Sequence, residues 1–107
     1  MRLLVFALLV ATASPVSAQN SPWCQELWLS RNTVLDRAGY CFSTSLGQAV
    51  FDNQDCIPGA PRLNPLDTEI VRHVVEMETT GQCDVDTETS ALDPSLQEFA
   101  ERLSVLW

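Results

Sequence analysis

The chain has 107 residues, and fourteen acidic side chains against six basic ones, all arginine, give it a formal charge of −8. Such a surface repels the phosphates of nucleic acid and the headgroups of anionic membranes, so neither is an expected partner. The length leaves room for one domain with a small core, a size at which cross-links between cysteines become useful.

The N-terminus reads as an export signal. Arg2 precedes an uncharged run from Leu3 to Ala13, too short to cross a core of about 30 Å as a helix but suited to a signal peptide. Pro15 breaks the run, and Val16 and Ala18 stand where a signal peptidase reads small residues. No cysteine follows to take a lipid. Residues 1–18 are therefore expected to be cleaved, leaving Gln19 first. Five arginines then face fourteen acids, a charge of −9, and no later segment is apolar and long enough to span a membrane. The expected location is the periplasm or the medium, where Cys24, Cys41, Cys56 and Cys83 form two disulfides. Their gaps of 17, 15 and 27 residues lack the paired Cys-x-x-Cys spacing of a zinc site.

Ser21 and Pro22 read as the start of a helix running from Trp23 to Ala38, with Gly39 as its left-handed stop. Helical spacing puts Cys24, Leu27, Trp28, Val34, Leu35 and Ala38 on one stripe, with Arg31 in its middle. A desolvated charge there needs a partner, either carbonyls or a carboxylate from another helix, with Asp52 or Asp55 as candidates; the other reading is an anionic ligand held in a cleft. Asn32 and Arg37 lie off the stripe on different sides, and Asn32 is expected to tie down a loop. Tyr40, Cys41 and Phe42 return apolar bulk to the core. Ser43 reads as the cap of a short helix over Thr44 to Asp52 that carries Leu46, Ala49, Val50 and Phe51, with Gly47 counting against it. Pro58, Gly59 and Pro61 mark a loop from Asn53 to Asn64.

Asn64 caps a second long helix, with Pro65 and Asp67 in its first turn and Gly81 at its end. Leu66, Ile70, Val71, Val74, Val75 and Met77 share its apolar face. An acidic linker follows over Asp84 to Ser90. Asp93 and Pro94 open a third helix whose apolar face holds Leu96, Phe99, Ala100, Leu103, Leu106 and Trp107. No strand pattern occurs. The expected fold is a small all-α, disulfide-stapled domain of three helices plus one short helix, organised as a four-cysteine domain over 19–83 and a linker with an amphipathic helix over 84–107.

Helix geometry restricts the disulfides. A continuous first helix holds Cys24 and Cys41 more than ~20 Å apart, against the ~7 Å limit between bridged Cα atoms. That excludes Cys24–Cys41 with Cys56–Cys83. If the second long helix packs antiparallel on the first, Cys83 comes beside Cys24 and Cys41 meets Cys56. The alternative is Cys24–Cys56 with Cys41–Cys83.

Leu27-Trp28, Arg31-Asn32, the run Arg37 to Phe42, Phe51-Asp52-Asn53 and Cys56 form a pattern that resembles a family of secreted bacterial four-cysteine proteins related to the YARHG domain. The motif that names the domain aligns with Leu35 to Gly39. Arg37 and Gly39 match it, whereas Ala38 stands in place of His, so a role for that His does not transfer. The resemblance covers Cys24 to Cys83 and implies an exported, envelope-associated module without an established reaction.

Groups able to carry chemistry are sparse. His73 shares a helical edge with Glu69 and Glu76, an arrangement open to a metal site or a general base; with no second His, pairing on the helix surface is the plainer reading. Asp84, Asp86 and Glu88 have the 1, 3, 5 spacing of a calcium loop. Thr89 stands at its sixth position instead of Gly and Ser95 at its twelfth instead of Glu, which favours a solvated acidic linker. No Gly-x-Ser-x-Gly elbow or phosphate-binding glycine loop occurs, and a small helical domain offers little room for a sugar cleft. No catalytic residue, metal or cofactor is expected. Arg31, Asn32 and Arg37 remain as buried charges or ligand contacts. The expected function is a non-catalytic interaction module of the cell envelope that binds a protein or wall component. An acidic inhibitor of a basic exported hydrolase and a small hydrolase are the alternatives.

Overall fold

Two proline-led helices with matching caps set the frame of the computed structural model, which describes residues 16–59 and 61–106. The elements are α1 (Val16–Gln19), α2 (Pro22–Arg37), α3 (Ser45–Val50), α4 (Pro65–Thr80) and α5 (Gln97–Leu106), the last entered through a 3-10 turn over Pro94–Leu96. The described residues contain no strand. The domain is all-α as expected, with α1 as an added single turn. Of the expected export segment, residues 1–15 lie outside the described residues, as does Trp107.

The Ser21 hydroxyl accepts the Cys24 N–H at 3.2 Å, and the Asn64 side-chain oxygen accepts that of Asp67 at 2.8 Å. Each cap satisfies a donor that the helix leaves open, and the proline behind it presets the first helical φ. The two helices also end alike. Tyr40 N–H reaches Leu35 O at 3.0 Å and Gly39 N–H reaches Asp36 O at 3.0 Å; Cys83 N–H reaches Glu78 O at 2.9 Å and Gln82 N–H reaches Thr79 O at 3.1 Å. This is the Schellman pattern, which needs one left-handed residue. After α2 that residue is Gly39, at φ +89°. After α4 it is Gln82, at φ +52°, while Gly81 is right-handed at −80°. Gly81 serves a different purpose: a Cβ there would run into the Trp23 ring.

α4 packs antiparallel on α2. Cys24 at the start of α2 is bridged to Cys83 just past the end of α4, with Cα atoms 5.4 Å apart, and Cys41 is bridged to Cys56 at 5.1 Å. At the other end Arg37 lies 3.7 Å from Asp67. Arg31 finds a partner other than those expected. Its guanidinium grips Glu78 of α4 through two hydrogen bonds, at 2.7 and 3.2 Å, and neither Asp52 nor Asp55 takes part. The partner is a carboxylate from another helix, because the antiparallel packing brings the C-terminal half of α4 beside Arg31.

α2 is buried on two sides, wider than the stripe its periodicity suggests. Trp28 and Leu29 join Leu46 of α3 and Leu92 and Leu96 of the C-terminal segment in one core cluster. Leu29, which falls outside the stripe, is 2 % exposed. The C-terminal segment is tied down by backbone groups. Asp84 N–H donates to Gln19 O at 2.8 Å, Leu46 N–H to Thr87 O at 2.9 Å, and Asp93 N–H to the buried Gln25 side chain at 2.7 Å.

α3 is shorter than expected, and Thr44 caps it instead of Ser43: the Thr44 hydroxyl accepts the Gly47 N–H at 3.0 Å. Phe51 is already extended and leaves the helix. Gly47 is buried because Phe42 packs onto it; a Cβ would meet the Phe42 ring at 2.8 Å. A close approach of side chain to backbone here outweighs glycine's poor helix propensity.

Candidate functional site

The segment between α2 and α3 folds back through one side chain. The Asn53 amide accepts the Phe42 N–H at 2.9 Å and donates to Phe42 O at 2.8 Å, as a neighbouring strand would. The Phe51 ring then stacks on Phe42, with centroids 4.6 Å apart, and tilts against Trp28 at 6.0 Å. Fixed in this way, Phe51 becomes one wall of a cleft of about 280 Å³ between α2, α3 and α5. Leu29, Val50, Phe51, Ala100 and Leu103 form its apolar lining; Thr33, Asp36, Arg37 and Asp52 supply the polar groups.

Among the described residues that line this cleft, two aspartates stand against one arginine. Burial first, then the Asp55 and Asp52 carboxylates, push the Asp36 carboxyl above its ordinary 3.8. Asp52 accepts the Gln54 N–H at 2.8 Å. None of the ion pairs among the described side chains engages Asp36, Asp52 or Asp55. Among the described residues, the arginine that lines the cleft is Arg37, whose guanidinium lies 3.7 Å from Asp67 of α4. The cleft therefore combines apolar contact area with negative potential in a partly desolvated setting, where a charge acts more strongly than in bulk water.

Arg31, Asn32 and Arg37 go to three places. Arg31 lines an open groove with Gln19, Val75, Glu78, Gln82 and Asp84, its side chain 26 % exposed and held by Glu78. Asn32 is buried, and its amide donates to Trp28 O at 2.8 Å, within its own helix and not to a loop. Arg37 alone reaches the cleft. Asp36, Asp52 and the aromatic wall are site residues that the sequence reading missed, because it assigned Asp52 to Arg31. The available signal was the pattern Phe51-Asp52-Asn53, whose first two members line the cleft and whose third holds Phe42.

The remaining sequence candidates lie apart. Glu69 and Glu76 pair with Arg72, not with His73; His73 lines a shallow groove beside Trp23 and Met77. Asp86 N–H donates to the Asn20 side chain at 3.1 Å, and the Asp86 carboxylate accepts the Glu88 N–H at 3.0 Å. Among the described residues, no three His, Cys, Asp or Glu side chains converge on a position able to hold a metal ion, and no helix is long and apolar enough to cross a membrane.

The profile of the YARHG domain matches residues 1–79. No curated protein and no solved structure matches the chain.

Proposed function

We propose, from the premise that this chain belongs to the YARHG domain family of extracellular, non-catalytic domains, that it is an exported interaction module of the bacterial envelope. Its cleft between α2, α3 and α5 holds a protein or wall component. The observation that carries this reading is the cleft itself, with an apolar lining beside acids that have no cationic partner among the described ion pairs. A stable isolated protein gains nothing from charge held in that state, whereas a binding surface uses it when a partner arrives. The reading includes removal of residues 1–18 on export, so that the working chain begins at Gln19; the intact mass of exported protein checks this.

Site-directed photocross-linking tests the surface. A photoreactive residue in place of Thr33, inside the cleft, should give an adduct with an envelope component, whereas one in place of Thr68, on the outer face of α4, should not. Equal labelling from both positions would refute the assignment. A second reading, an acidic inhibitor of a basic exported hydrolase, is favoured by the charge of −9 on a working chain without lysine. It requires hydrolase inhibition that fades as salt rises.

A further inference from the structure

We infer that the cleft receives a lysine or arginine side chain from an apolar segment of a protein partner, with the cationic head between Asp36 and Asp52 and the aliphatic stem along Leu29, Val50 and Phe51. The inference rests on the binding reading above and names the chemical class of its ligand.

Long basic side chains have two parts, an apolar stem and a charged head. The cleft has the complementary two parts in the same order. Leu29 is 2 % exposed, and Phe51 is packed against Phe42 and Trp28, so the apolar wall is already formed before anything binds. Asp52 is exposed at the mouth and Asp36 is half-buried. Burial and like charge already disfavour the ionised Asp36, and an incoming cation offsets both effects at once. None of the described ion pairs joins Arg37 to Asp36 or Asp52; the one described for it is with Asp67 at 3.7 Å.

Charge also selects between classes of partner. An anionic wall polymer is repelled by an exported chain with fourteen acids against five arginines, whereas a basic protein is attracted and steered towards it. The apolar lining from Leu29, Val50 and Leu103 then favours a cation flanked by apolar residues over a run of consecutive charges.

The test uses the exported form of the chain, labelled with nitrogen-15, and three capped tripeptides: Leu-Lys-Leu, the same peptide with norleucine at the centre, and Leu-Glu-Leu. The lysine peptide should shift the amides of Thr33, Asp36, Phe51, Asp52 and Ala100 saturably. Affinity should fall at least about tenfold for the norleucine peptide and for the lysine peptide on Asp36→Asn/Asp52→Asn, the scale of a lost charge-assisted contact. Asp84→Asn/Asp86→Asn removes the same charge elsewhere and should change it less than about twofold. Equal binding of lysine and norleucine peptides in the cleft would reject the cation while leaving the binding module intact. Shifts scattered over every acidic segment, with both double variants equally weakened, would reduce the effect to net charge and overturn the inference. Tighter binding of an amine-bearing wall fragment than of the lysine peptide would also overturn it, in favour of a wall ligand. If no peptide shifts the cleft and Thr33 gives no cross-link, both readings fail; a Thr33 cross-link without peptide binding rejects the ligand class alone.

Discussion

Arg31 and Asp36 sit five residues apart on α2 and are handled in opposite ways. Arg31 is gripped through two bonds by Glu78, with side chains 26 % and 15 % exposed. Removing one partner of such a pair strands the other in a partly desolvated site. Arg31→Ala is expected to cost about 2 kcal/mol, less than a fully buried pair because solvent still reaches the guanidinium. Arg102→Ala, whose exposed partner is Glu98 within the same helix, should cost about 0.5 kcal/mol or less. Urea titrations of both variants check the difference. Asp36 has a raised folded pKa, from burial and then from Asp55 and Asp52. Between its ordinary value of 3.8 and the raised one, the folded chain holds more protons than the unfolded chain. Stability therefore falls as pH rises through that window. Asp36→Asn is expected to raise the melting temperature at pH 7, with the gain disappearing below pH 3.8, where Asp36 is neutral in both states. An unchanged melting temperature at pH 7 would contradict the picture of Asp36 as an uncompensated charge.

At the scale of elements, the two long helices show what their terminators require. Gly39 supplies both the left-handed φ of +89° and a close fit to Ile57. At the end of α4 these tasks fall on adjacent residues: Gly81 makes room for Trp23, and Gln82 takes the left-handed turn at +52°. A side chain in that conformation costs roughly 1 kcal/mol. Gln82→Gly should therefore stabilise the fold by about 1 kcal/mol, measured by thermal denaturation with both disulfides intact. Gly81→Ala should act in the reverse direction even though alanine is the better helix former, because its methyl group meets the Trp23 ring.

For the whole molecule, the core crosses the boundary of the family match. Residues 1–79 match the YARHG profile, yet Leu92 and Leu96 pack in one cluster with Trp28, Leu29 and Leu46. Leu96 is 5 % exposed, while Leu66, on a helix inside the match, is 70 % exposed. Leu96→Ala is expected to cost about 2–4 kcal/mol and Leu66→Ala about 0.5 or less, in chemical denaturation. The disulfides follow a similar hierarchy. Cys24–Cys83 closes a separation of 59 residues and Cys41–Cys56 one of 15. Chain entropy assigns them about 4 and about 3 kcal/mol respectively. Replacing Cys24 and Cys83 with serine should therefore lower the denaturation midpoint more than the same change at Cys41 and Cys56.

Local chemistry carries the helix starts at Ser21-Pro22, Asn64-Pro65 and Asp93-Pro94, because caps and prolines act within one turn of chain. The same locality, with the fixed rise of a helix, removes the Cys24–Cys41 pairing before any tertiary contact is known. The motif from Arg37 to Phe42, with Phe51 to Asn53, was legible as a pattern, and its meaning is a clamp: a left-handed glycine, a disulfide, a ring stack and an amide holding a backbone. The tertiary structure alone decided which carboxylate meets Arg31, since Asp52, Asp55 and Glu78 are equally acidic in sequence and differ only in where α4 lies. It also placed Leu29, Gln25 and Asn32 inside, because a helix at the centre of a small domain is covered on two sides and its apolar period marks only one. The cleft is decided last of all. Asp36, Phe51, Asp52 and Leu103 come together only when α3 and α5 close on α2, and no spacing along the chain encodes that meeting.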